Sequence, residues 1–205
     1  LATASHDTSA RLYEMSTGKV LYTFEEHKKW VTSVDFSNDS NYLITASEDD
    51  TAEIFDVLTG DLIQSIRGGT GSLFSAQFCL NDKFVLLHSH FENKAKLIEI
   101  YSGKTIKTFD GFTNGALESV KISPNSKFIV LQPYQKNKAK LFDFTTGELI
   151  KVLDDHSDHI LATQFSNDGK HLTTISKDGS VIIYDSTTGE QLIHKFTFDS
   201  KYPLW

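Results

Sequence analysis

Five times this chain repeats a short apolar strand that ends in an aromatic or aliphatic residue and a carboxylate, and closes soon after on Thr-Gly or Ser-Gly. The copies read ARLYEMSTG (10–18), AEIFDVLTG (52–60), AKLIEIYSG (95–103), AKLFDFTTG (139–147) and VIIYDSTTG (181–189). Their glycines, Gly18, Gly60, Gly103, Gly147 and Gly189, lie 42, 43, 44 and 42 residues apart. A repeat of this period marks supersecondary units that stack, and it sets the architecture before any single residue is interpreted. It also argues against an enzyme.

Each unit reads as four strands. In the second, WVTSVDF (30–36) is strand a, YLITAS (42–47) strand b, AEIFDV (52–57) strand c and LIQSI (62–66) strand d. Val, Ile, Phe, Tyr and Thr fill the strands; Gly, Asn, Asp and Ser fill the turns. Turns this short join antiparallel neighbours, so each unit is a meander. A meander of about 42 residues cannot bury both faces alone, whereas copies arranged around an axis bury each other. The fold class is therefore all-β: a β-propeller of four-stranded antiparallel blades, with about five blades present and 19 strands expected.

The units resemble the WD-repeat family over nearly the whole chain. That family places Gly-His before strand a, Asp in the b–c turn and Trp-Asp at the end of strand c. The Trp-Asp position is held here by Tyr13-Glu14, Phe55-Asp56, Ile98-Glu99, Phe142-Asp143 and Tyr184-Asp185. Glu26-His27 and Asp155-His156 stand at the Gly-His position, and Asp7, Asp49 and Asp178 at the turn Asp. The resemblance implies a buried network of His27, Ser47, Asp49 and Phe55 in blade two, and of His156, Ser176, Asp178 and Tyr184 in blade five. Phe55 has no N–H to donate, so blade two keeps at best a triad.

Blades three and four depart together. Gly69 and Thr113 stand in place of the His, and Glu92 and Lys136 in place of the Asp. Each also carries one extra residue between strands a and c, which predicts longer b–c hairpins (HSHFENK and PYQKNK). A His or Asp left buried alone would be costly, so the pair should be lost as a pair.

The repeat sets the boundaries: a partial blade one (1–26), blades two (27–68), three (69–111), four (112–155) and five (156–198), and a tail (199–205) that could begin a further blade. Leu1 falls at strand b of blade one, and Pro203 suits the tail poorly to an inner strand. These features predict a fragment of a larger, seven-blade type propeller, the other blades coming from the same longer chain or from an assembly.

Composition narrows the partners. Lys+Arg is 20 against Asp+Glu 27, a formal charge of −7, which argues against a nucleic-acid backbone. The densest basic cluster, QKNKAK, reads as a solvated turn. A single cysteine, Cys79, leaves no internal disulfide, so the chain reads as intracellular and cytoplasmic, with the thiol a buried structural one. No apolar run is long enough to span a membrane.

Chemistry is sparse. Eight histidines invite a metal, but His88 and His90, an i, i+2 pair, have no Cys or His-Glu motif beside them. DDHSDH (154–159) is the turn entering strand a. Ser5-His6-Asp7 has triad residue types, but adjacency along a strand cannot give triad geometry. GGTGS (68–72) lacks the Lys and the helix of a phosphate loop. No catalytic residue, metal or cofactor is expected.

The resemblance implies instead a working surface at the d–a and b–c turns. Mapping the family's surface positions gives Trp30 and Thr32, Ser72 and Phe74, Ala116 and Glu118, His159 and Leu161, and from the b–c turns His6, Glu48 and Lys177. Trp30 either packs under the neighbouring loop or serves as an exposed anchor. Glu48 and Glu118 suit a ligand bearing Lys or Arg. The expected function is a non-catalytic scaffold that binds proteins or peptides, basic ones among them. The alternatives are a sensor domain of a multidomain nucleotide-switch protein and an enzymatic or metal-binding propeller.

Overall fold

A computed structural model describes residues 1–69, 71–89, 91–113 and 116–197, the last four by their backbone alone. His90, Thr70 of the GGTGS loop, and the tail 199–205 with Pro203 lie outside the described residues. The chain divides into two compact units, Leu1–Asp110 and Gly111–Trp205.

The first unit holds three sheets. Sheet 1 is β1 (Ala2–Ala4), β2 (Ala10–Tyr13) and β3 (Val20–Phe24). Sheet 2 is β4 (Val31–Phe36), β5 (Tyr42–Ser47), β6 (Thr51–Asp56) and β7 (Leu62–Arg67). Sheet 3 is β8 (Leu73–Cys79), β9 (Phe84–Ser89), β10 (Lys94–Glu99) and β11 (Thr105–Asp110). The second unit holds sheet 4, with β12 (Leu117–Ile122), β13 (Phe128–Pro133), β14 (Ala139–Asp143) and β15 (Leu149–Leu153), and sheet 5, with β16 (Ile160–Phe165), β17 (His171–Ser176), β18 (Ser180–Asp185) and β19 (Gln191–Thr197). Every sheet pairs its strands in chain order, all antiparallel, as a propeller blade does. The a–b and c–d turns thus lie at one end of each sheet, the b–c and d–a turns at the other.

The repeated Thr/Ser-Gly has a local cause. Gly18, Gly60, Gly103, Gly147 and Gly189 all adopt left-handed φ, between 65° and 82°, where a Cβ is strained. The preceding hydroxyl accepts the N–H of the residue after the glycine in all five turns, for example Asp61 N–H to Thr59 Oγ1 at 3.3 Å and Glu190 N–H to Thr188 Oγ1 at 3.1 Å. The strand-c carboxylate caps the same turn: Asp56 Oδ1 accepts Leu58 and Thr59 N–H, and Asp185 Oδ1 accepts Thr187 and Thr188 N–H. The motif is a turn signature.

Sheet faces bury one another within each unit. Leu12, Phe24, Val31, Leu43 and Phe55 pack between sheets 1 and 2; Ile44, Ile54, Leu73, Val85 and Leu87 between sheets 2 and 3. Phe128, Val130, Leu141, Leu172 and Tyr184 do the same between sheets 4 and 5. Each such side chain is worth roughly 1.5–3 kcal/mol when removed from water. Neighbouring first strands are also stitched by hydrogen bonds: Ser33 Oγ and Asp35 Oδ2 on β4 accept Ala76 N–H at 3.1 Å and Phe78 N–H at 3.0 Å on β8. The b–c connections span 90–93 and 134–138 in sheets 3 and 4, against 48–50 and 177–179 in sheets 2 and 5.

Candidate functional site

In sheet 5 the d–a turn is locked to the b–c turn through His156. Its Nδ1 faces Asp178 Oδ2 at 3.2 Å and Ser180 Oγ at 3.0 Å, and its Nε2 lies 2.7 Å from Thr174 Oγ1. A carboxylate only accepts, so Nδ1 carries the proton and Nε2 accepts from the Thr174 hydroxyl. Asp178 also accepts Ser157 N–H at 2.8 Å and Ser180 N–H at 2.9 Å. Burial works against its charge, but bonds from Ser180 and Ser157 and the nearby His156 outweigh it and hold the carboxyl well below its ordinary value. The fully buried Tyr184 donates to Asp155 Oδ2 at 3.1 Å; burial and the Asp155 charge push its phenol up.

Sheet 2 repeats the lock with His27, Asp49 (3.2 Å), Thr51 (3.1 Å) and Thr45 (2.6 Å). Burial holds His27 below the ordinary imidazole value, so the ring is neutral. Phe55 stacks instead on Phe24, ring centroids 4.2 Å apart. In both sheets the hydroxyl facing the imidazole differs from the expected Ser47 and Ser176. It belongs to Thr45 and Thr174, two residues earlier, because alternate strand residues share a face and the earlier one lies at the depth of the ring. Ser47 and Ser176 brace the turns: they donate to Lys29 O and Asp158 O, and accept from Asp49 and Asp178 N–H.

Sheets 3 and 4 use another lock. Lys96 Nζ donates to Gly68 O at 3.1 Å and pairs with Glu92 at 3.2 Å. Lys140 Nζ donates to Gly111 O at 2.6 Å and sits 4.9 Å from the centre of the Phe112 ring. The d–a turn is again held from strand c, by an ammonium reaching a carbonyl. Counted from strand d, the residue at the His position in sheet 4 is Phe112 and not Thr113, which is exposed, because this d–a turn is one residue longer. Lys140→Met keeps the stem and removes the charged donor. It should cost about 1–3 kcal/mol, read as a lower urea midpoint of the intact protein; an unchanged midpoint would remove the lysine from the lock.

The GGTGS loop serves a neighbouring carboxylate: Gly69 and Gly71 N–H both donate to Asp50, at 3.2 and 3.0 Å. In QKNKAK, Lys138 pairs with Asp154 at 3.4 Å and Lys140 turns inward, so the cluster is not a free basic patch.

Four of the mapped surface residues share one geometric feature. Strand a of each four-stranded sheet is bulged, the register shifting across Thr32, Phe74, Glu118 and Leu161. A bulge re-aims the extra side chain out of the ladder. Phe74 is 44% and Leu161 58% exposed. Glu118 is half-buried, 3.5 Å from Gln132 Nε2. Thr32 is different: its hydroxyl lies 3.1 Å from both Ala46 O and Leu73 O, on β5 and β8. It joins two sheets, which makes it a scaffold residue. Trp30 is 48% exposed and stacks on His6, centroids 4.1 Å apart and planes within 10°. Glu48 N–H donates to Trp30 O, and Lys177 N–H to His159 O, which sets each turn residue beside its strand-a partner. His88 is buried against Phe74 at 5.5 Å, and Cys79 is buried with its thiol pushed up to about 12, chiefly by burial. Among the described residues no three His, Cys, Asp or Glu side chains group as metal ligands.

The family model described as "WD domain, G-beta repeat" matches residues 18–56 and 147–185. These windows run through sheets 2 and 5, where His27 meets Asp49 and His156 meets Asp178. Both stretches carry the WD repeat of that family. The chain is 31% identical over 108 residues to the COMPASS component SWD3 of Saccharomyces cerevisiae, covering 53% of this chain and 34% of that protein. It is 27% identical to WD repeat-containing protein 1 of Gallus gallus, over 93% of this chain and 32% of that protein. It is 36% identical to the human serine-threonine kinase receptor-associated protein, over 42% of this chain and 24% of that one. The chain thus spans about a third or less of the length of these relatives.

Within its WD repeats one signal was there to be read. The residue after the small apolar Ala or Val that opens the core of strand c is Lys96 or Lys140 where another residue replaces the histidine, and Glu53 or Ile182 where the histidine is present. At the same place in sheet 1, Arg11 Nη2 reaches Asp7 Oδ2 at 2.8 Å. In sheets 3 and 4 a cation on strand c therefore accompanies replacement of the His.

Proposed function

We propose that this chain is a non-catalytic protein-interaction scaffold, working inside the cell, that binds protein or peptide partners at the d–a and b–c ends of its sheets. The observation that carries this is the strand-a bulge. One backbone device is repeated four times: Thr32 uses it to tie sheets 2 and 3, while Phe74, Glu118 and Leu161 stand at the same position in the other sheets, so a constant frame holds variable side chains. A rigid frame presents such residues at little ordering cost on binding.

In the first unit the contact set is Trp30, Glu48 and Phe74, with His6 as the stacking support of Trp30. In the second it is Glu118, His159, Leu161 and Lys177. The exposed aromatics fit an anchor role, and Glu48 and Glu118 fit a basic partner. Two relatives bear names that describe association with other proteins, a COMPASS component and a receptor-associated protein, in keeping with this reading.

Affinity capture of the intact protein from cell extract should lose a reproducible set of partners on Trp30→Ala or Glu48→Lys, with unchanged thermal stability. An identical partner set from both variants would sink the proposal.

A further inference from the structure

At the opposite, a–b and c–d, end of the sheets the seams between neighbours are not equivalent. Between sheets 1 and 2, Tyr22 of β3 lies on Gly60: a Cβ added there would come within 2.4 Å of the Tyr22 ring. The Tyr22 hydroxyl donates to Leu58 O at 2.6 Å. Between sheets 4 and 5, the stem of Lys151 covers Gly189 in the same way, at 2.6 Å. Between sheets 2 and 3 the residue in register with Tyr22 is Gln64, two positions before the last buried residue of strand d. The matching glycine, Gly103, has nothing within 4 Å of its Cβ position.

What remains at that seam is a groove of about 470 Å³ walled by Tyr42, Ile63, Phe78 and Tyr101. Tyr101 is 95% exposed. The volume is that of a small-ligand site and the wall is mostly apolar. The carbonyl in register with Leu58 O is Tyr101 O, which accepts no hydrogen bond among the described residues. Asp82 and Glu99 line the groove against a single Lys83, which gives it a net negative charge.

We propose that this groove is a second binding site, taking a tyrosine side chain of a partner peptide with a Lys or Arg beside it. The chain shows the fit itself: at the neighbouring seam its own tyrosine fills the corresponding space, ring on the glycine and hydroxyl on the carbonyl. The partner's phenol would donate to Tyr101 O, and its cation would face Glu99 and Asp82. The site is at the other end of the sheets from Trp30 and stands whether or not the first surface binds anything.

The test is a titration of the intact protein with acetyl-Arg-Tyr-Arg-amide, followed by the backbone amide signals of residues 100–103. The tyrosine peptide should shift these signals and saturate, and its alanine version should bind at least tenfold more weakly. Gln64→Tyr should fill the groove from within, raise the thermal midpoint and weaken peptide binding at least tenfold. Glu99→Gln, which removes the charge and keeps an acceptor for the Ser102 hydroxyl, should weaken binding several-fold with little change in the midpoint, which keeps the test independent of how Gln64→Tyr folds. Equal binding of the tyrosine and alanine peptides, or wild-type binding by both variants, would overturn the assignment.

Discussion

Asp178→Ala is expected to lower the stability of the protein by about 3 kcal/mol. The side chain is nearly buried and accepts from His156, from Ser157 N–H and from both donors of Ser180. Removal leaves the buried Ser180 N–H without its acceptor and the His156 Nδ1 proton with the Ser180 hydroxyl alone. His156→Ala should cost a similar amount, and the double variant much less than the sum of the two, because both act in one network. Urea unfolding of the intact protein gives all three values. The pH dependence has a defined sign. The Asp178 carboxyl is held below its ordinary 3.8, so its contribution is complete above that value and is lost as the pH falls toward the folded-state value. The cost of Asp178→Ala should therefore fade in acid. A cost under about 1 kcal/mol at neutral pH would mean the lock is ornamental.

Glu53→Ile should act in the opposite direction, stabilising the protein by on the order of 2 kcal/mol at pH 8. Glu53 occupies the place that Ile182 fills in sheet 5. Its Oε2 is buried with no hydrogen-bond partner, 3.9 Å from His27 Nε2. Burial, with the charges of Glu26 and Asp49, pushes its carboxyl up to about 7 from an ordinary 4.5. The folded state thus holds the proton more tightly than the unfolded chain. Glu53's favourable contribution is complete below about 4.5 and is lost as the pH rises through about 7. The gain from Glu53→Ile should be largest above pH 7 and small near pH 4. Glu53→Gln, which keeps the shape and cannot ionise, should flatten the same pH dependence. A gain that does not vary with pH would place the effect in packing alone.

Much of the scaffold could be read in the residues. The strand-c motif fixes a turn whose glycine, hydroxyl and carboxylate each do a local job, so its period located the repeats, and 19 strands follow among the described residues. Hairpin length in sheets 3 and 4 was legible for the same reason. Other features depend on depth or register. Thr45 and Ser47 lie on one face of β5, and spacing alone does not say which reaches His27. Phe112 displaces Thr113 because the extra residue sits in the d–a turn of sheet 4, and strand spacing cannot divide it between turns. The bulges at Thr32, Phe74, Glu118 and Leu161 carry no residue signature at all, since a bulge belongs to the pairing of two strands. Glu53 and Lys140 pass as ordinary strand-c polar residues until the d–a turn is placed beside them.

The most direct test of the interaction reading is amide hydrogen exchange of the intact protein with and without a captured partner. Protection is predicted to concentrate at 30–32, 48 and 72–74 in the first unit and at 118, 159–161 and 177 in the second, all at the d–a and b–c end. Partner-dependent protection that leaves those amides unchanged and falls elsewhere would contradict the account.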